Sequence, residues 1–120
     1  MLLFNVALEW HKPNIVEHLK ITKTMYETHK HLIEENKSSE FSEILQNDGS
    51  ACASLVSIFN FLESVAVGVE FGIMDEALIK RCFKSFFISY LNDYEFYISY
   101  RRKKNKNPNA WINFTKMAVN

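Results

Sequence analysis

Between Asp75 and Asn105 the chain contains neither glycine nor proline, and Phe83, Phe86, Phe87, Tyr90, Tyr94, Tyr97 and Arg101 recur at three- and four-residue steps. That spacing predicts one long helix over about 75–104 with a single aromatic seam. About 30 residues at a rise of 1.5 Å per residue make a rod of roughly 45 Å. The preceding apolar segment, about 50–71, would reach only roughly 33 Å. The longer helix must therefore overhang the shorter one, and the overhang carries the upstream helices or extends into a second subunit. The rest of the chain also lacks turn formers, with three Gly and two Pro against ten Phe and five Tyr in 120 residues. A few long helices fit this better than many short strands. The expected fold is all-α, a compact bundle of four to five helices in one domain around an antiparallel hairpin of about 50–71 and 75–104.

The turn of that hairpin is well marked. Gly72 suits the left-handed position after a helix, with Ile73 folding back onto Val67 as in a Schellman cap. Asp75 then caps the next helix, and Glu76 favours its N-terminal dipole. Gly68, one turn before Gly72, predicts a close approach by a neighbour. Upstream, a short helix is expected over about 2–11. After it, Pro13 starts a second helix running to about Asn36, with Ile15, Leu19, Met25 or Tyr26, His29, Leu32 and Ile33 as its apolar stripe. ENKSSEFSEILQNDGS is a polar stretch with one weakly amphipathic turn around Phe41, Ile44 and Leu45, and reads as a loop containing a short helix. A last helix restarts after Pro108, over about 109–118.

Charge is balanced overall but unevenly placed. Residues 101–120 hold six of the fourteen basic side chains and no acid, so the first hundred residues carry eight bases against fourteen acids. Cys52 and Cys82 lack metal-ligand spacing and read as reduced core thiols. MLLFNVALEW has no basic leader and too short an apolar run for a membrane span. A soluble, cytoplasmic chain is the expectation.

Within FNFLESVAVGVEFGIMDE, residues 59–76, a carboxylate stands among apolar side chains. On a helical wheel Leu55, Ile58, Phe59, Phe61, Leu62, Val65, Ala66 and Val69 fill one arc, with Ser57 and Asn60 on the other side. Glu63 and Glu70 stack along the border. Structural ion pairing with Arg81, Arg101 or Arg102 is preferred for them over catalysis, because no second acid, histidine or nucleophile stands nearby in sequence. The aromatic seam reads as core more readily than as a stacking groove, which would need exposed ring faces. RRKKNKN offers Arg101, Arg102, Lys103, Lys104 and Lys106 to phosphates or an acidic protein, or else completes a helix C-terminus. Glu27, His31 and Glu35 share a helix face, yet no HExxH, paired ExxH or cysteine cluster accompanies them, so neither a metal nor a cofactor is expected. No Walker loop, GxGxxG or GxSxG occurs.

IFNFLESVAVGVEFGIMDEALIKR, followed by YISYRRKKNKNPNAWINFTKMA, resembles the bacterial family called domain of unknown function 4760. LEWHKPNIVEHLK, residues 8–20, is similar more loosely. The resemblance implies that Asn60, Glu63, Gly72, Asp75, Glu76 and Arg101 are family positions, without implying a chemistry for them. Members often carry an N-terminal membrane helix, and this chain is expected to begin after it. The expected role is a non-enzymatic protein–protein interaction module, a homodimer through the overhanging helix being one form of it. A narrower expectation is a phage or mobile-element product that inhibits or regulates a bacterial defence complex. The alternative is non-specific nucleic-acid binding through residues 101–106.

Overall fold

A computed structural model describes residues 13–119. The helix expected over 2–11 lies outside the described residues. Five helices follow one another, with no strand among the described residues: α1 (Pro13–Glu34), α2 (Ser38–Asn47), α3 (Gly49–Glu70), α4 (Glu76–Lys104) and α5 (Ile112–Val119). The fold is an all-α bundle.

α3 is the central helix, in contact with each of the other four. Its apolar arc explains this. Leu55, Ile58, Phe59 and Leu62 are fully buried, and Ala51, Val65 and Ala66 nearly so. By length and mean hydropathy, 1.7 over its most apolar stretch, α3 could cross a membrane. Here the same apolar surface is the core of the bundle.

The hairpin turn forms as its residues dictate. Asp48 and Asp75 cap α3 and α4 by accepting from the amides of Ala51 and Leu78, each at 3.0 Å. Gly72 has φ +71°; its amide donates to Val69 O at 3.0 Å, and that of Ile73 donates to Gly68 O at 2.8 Å. This is a Schellman pair. The side chain that folds back differs from expectation. Ile73 stays 59% exposed, while Met74 lies so close to α3 that a Cβ at Gly68 would sit 3.0 Å from its Cε.

α3 and α4 touch each other less than α3 touches α1 and α5. α4, about 43 Å long at 1.5 Å per residue, runs the 42 Å length of the molecule. It bends at Tyr94, whose φ/ψ (−123°, 16°) leave the helical region. Before the bend Phe87 meets Phe114 of α5; after it Phe96 meets Phe41 of α2. The overhang is thus occupied within the chain. The short helix expected around Phe41, Ile44 and Leu45 forms as the ten-residue α2, where Phe41 and Leu45, four apart, are both buried.

The α4 seam is core. Phe83, Phe87, Tyr90, Tyr94 and Tyr97 are all buried. Thr22 of α1, skipped by the apolar stripe, is buried as well. Its hydroxyl donates to His18 O or Leu19 O and lies 2.8 Å from the Tyr90 hydroxyl, while the Tyr94 hydroxyl donates to Thr22 O. Cys52 is half-buried against Tyr97, but Cys82 is exposed on α4, so only one of the two thiols belongs to the interior.

Candidate functional site

Polar side chains from α3 and α4 converge on the chain's last turn and helix. Glu63 leaves the border of the α3 arc toward α5. Its Oε1 accepts from the backbone N–H of Phe114 at 2.8 Å, and its Oε2 accepts from the Asn113 side-chain amide at 2.9 Å. Ile112, Asn113 and Phe114 form the first turn of α5, where backbone N–H groups lack helical acceptors. A carboxylate there satisfies one such donor and complements the positive end of the helix dipole. Glu63 is therefore a cap delivered from another helix. The arginine partner expected for it is replaced by a backbone amide and an asparagine.

Asn60, one turn earlier on the same face, accepts from Trp111 Nε1 at 2.8 Å. Trp111 has φ +55°, a left-handed conformation uncommon for a bulky side chain. Contacts on several sides hold it there. Its ring lies edge-on to Phe59 at 4.9 Å between centroids, and the Arg101 guanidinium stands 5.7 Å from its centre.

The two arginines of the basic run turn inward. Arg101 lies over the Tyr97 ring and donates to its hydroxyl at 3.2 Å; Cys52 Sγ is 3.7 Å from the same nitrogen. That hydroxyl donates to Gln46 of α2 at 2.8 Å. Burial pushes the Tyr97 phenol up to about 12, with its Cys52 contact adding to the rise and Arg101 opposing it. Arg102 donates from Nε to Ala110 O at 2.9 Å and from Nη2 to Thr115 Oγ1 at 3.2 Å. Lys103, Lys104 and Lys106 remain exposed. The basic run thus divides into two arginines that fasten the C-terminal segment and three lysines that face solvent.

The remaining ion-pair candidates do not join this cluster. Among the described residues no ion pair joins Glu70 or Arg81 to another side chain. Glu70 is exposed at the far end of α3, near Glu76, Lys80 and Lys116 around a cleft of about 180 Å³. Lys80 is paired with Glu76 at 2.9 Å. Arg81 is exposed on α4. Glu27 pairs with Lys30 on α1 at 3.1 Å, and just past its end Glu35 pairs with Lys37 at 3.6 Å, which leaves Glu27, His31 and Glu35 as ordinary surface. Among the described residues no three His, Cys, Asp or Glu side chains gather to hold a metal ion.

A second feature lies on the other side of α4. α1 and α4 leave between them a groove of about 390 Å³ walled by Leu19, Tyr26, Phe86 and Tyr90, with Asp93 and Glu27 in its lining. Asp93 is half-buried, and loss of water pushes its carboxyl above the usual range, helped by Glu27 and opposed by Lys30.

The family model described as a domain of unknown function, DUF4760, matches residues 3–120. The chain belongs to that family. No curated protein and no solved structure matches it. In this DUF4760 chain the motif positions Asn60, Glu63 and Arg101 meet around Trp111 and the start of α5, while Gly72 and Asp75 form the hairpin turn. In this chain Asn60, Glu63 and Arg101 fasten the C-terminal helix to the bundle. Sequence reasoning missed Trp111 and Asn113 as partners of this motif. The only written signal was Pro108 before an aromatic restart.

Proposed function

We propose that this chain is a helical protein-binding module whose contact surface is the α3–α4 turn. One observation carries the reading: Phe71 is 74% and Ile73 59% exposed at that turn, with Leu78 beside them on the first turn of α4 at 39%. Two large apolar side chains flanking a rigid glycine cap would be better buried, and they protrude where the fold needs only a turn. Glu70, Asp75 and Glu76 frame them. The surface they complement is an apolar depression with a basic rim on a protein partner. The other polar motif residues support the reading by default, since Glu63 and both arginines hold the fold together.

The test is capture of a partner from lysate by the full chain and by the Phe71→Ser, Ile73→Ser double variant. A discrete protein that survives nuclease treatment and is lost from the variant is expected, with the variant's stability within about 0.5 kcal/mol of the parent, as for exposed positions. Capture unchanged by the variant, or every partner lost to nuclease, overturns the reading.

A second reading, non-specific nucleic-acid binding, rests on the exposure of Lys103, Lys104 and Lys106 at the end of α4. The informative variant replaces these three lysines and spares the arginines, whose loss would disturb the fold. If the lysines bind duplex phosphates, their removal lowers affinity and flattens the salt dependence by up to roughly three counterions. Unchanged binding removes this reading.

A further inference from the structure

We propose that the groove between α1 and α4 is a binding site for an organic ammonium group, with Asp93 as its counter-ion and the surrounding aromatic rings as its walls. Three observations converge on this. The groove has a volume of about 390 Å³, room for a small amine. Its walls are aromatic: Tyr26, Phe86 and Tyr90 line it, and Tyr94 closes its floor, edge-on to Tyr26 at 5.8 Å and stacked with Tyr90 at 6.3 Å. Ring faces attract cations, and more strongly where water is excluded.

The third observation is the carboxylate. Asp93 is half-buried in this lining, and no hydrogen bond or ion pair joins it to another side chain among the described residues. Several other polar groups of the lining are engaged. Thr22, Tyr90 and Tyr94 bond to one another or to backbone, and Glu27 pairs with Lys30. Lys23 stands exposed in the lining without forming an ion pair to either acid. A partly desolvated carboxylate lacking a donor is costly unless a cation completes it. A carboxylate beside aromatic rings is the chemical complement of an alkylammonium; an anion would meet Asp93 and Glu27, and a neutral ring would leave Asp93 uncompensated. The proposal is independent of the α3–α4 turn.

Isothermal titration of the full chain with choline, putrescine and Nα-acetyl-lysine methylamide tests it, with acetate as the anionic control. Saturable binding of at least one cation is expected, with shifts of the Tyr26 and Tyr90 ring resonances and none with acetate. Asp93→Asn should weaken binding tenfold or more, and Tyr26→Leu several-fold, while Glu40→Gln on the surface of α2 leaves it unchanged. A free amine and the lysine of a protein partner present the same group. Tighter binding of choline or putrescine assigns the site to free amines, and tighter binding of the lysine derivative assigns it to a side chain. Absence of saturable binding by all three cations, or equal binding by Asp93→Asn, overturns the proposal.

Discussion

Glu63 Oε1 accepts a hydrogen bond from the Phe114 backbone amide across 51 residues of sequence, at 2.8 Å, so the central helix holds the first turn of the last one. Hydrogen bonds to a charged group contribute about 1.5–3 kcal/mol each when the partner is partly shielded. Glu63→Ala should lower unfolding free energy by about 1–3 kcal/mol, and Glu63→Gln by less, since an amide oxygen still accepts. Hydrogen exchange should show where the loss falls, with α5 amides accelerated before those of α3. A double-mutant cycle should give clear coupling between Glu63 and Asn113 and none between Glu63 and Arg81. Coupling to Arg81 instead would restore the ion-pair assignment.

Gly72 and Lys106 occupy equivalent left-handed positions, at φ +71° and +54°, each just past the end of a helix. Lys106 repeats the Schellman bonding: its amide donates to Lys103 O and that of Asn107 to Arg102 O. An L side chain in this conformation costs roughly 1 kcal/mol relative to glycine. Gly72→Ala should therefore destabilise by about 1 kcal/mol, and Lys106→Gly should stabilise by about 0.5–1 kcal/mol. Opposite signs in chemical denaturation check the pair together.

The turn at Gly72 and Asp75 was legible because both residues act locally, through φ and through a side chain reaching three residues on. Glu63 was legible only as an anomaly. Its principal partner is a backbone amide, which no letter of the sequence encodes, and it lies on an element that Glu63 itself positions. Thr22 was illegible for a related reason: a hydroxyl satisfied by carbonyls of its own helix can be buried at little cost, so it breaks an apolar stripe without breaking the core. The basic run was legible as charge but not as direction. Arg101 and Arg102 face the C-terminal turn and the α2 side, while the next residues along the helix, turned by about 100° each, face water.

Burial leaves the Asp93 carboxylate at a disadvantage. Its folded pKa is raised, so the native state binds that proton more readily than the unfolded chain does. The deficit is full at neutral pH, where the native carboxylate is ionised, and vanishes as pH falls below the unfolded value of about 3.9. Asp93→Asn should therefore raise the thermal midpoint at pH 7, with the advantage disappearing near pH 4. A variant that is more stable yet fails to bind an ammonium probe cannot owe that failure to misfolding. A lower midpoint at pH 7 would contradict the desolvation of Asp93.

The buried phenols set the alkaline limit of the fold. Tyr90, Tyr94 and Tyr97 are all raised above 10.0, chiefly by burial, with Tyr97 reaching about 12 and Tyr94 raised further still. A raised folded pKa means the native state keeps its proton where the unfolded chain has lost it. Their contribution is complete below pH 10 and is lost as pH rises through the folded values. Each phenol ionising only on unfolding adds a slope of about 1.4 kcal/mol per pH unit. Near-ultraviolet phenolate absorbance and far-ultraviolet circular dichroism should therefore change together above pH 10, as one cooperative event in which most phenols ionise with helix loss. Tyr97→Phe should flatten the slope by one proton while costing stability at neutral pH through the lost bond to Gln46. Phenols titrating freely near pH 10 with the helix signal intact would show that the α4 seam is open to water.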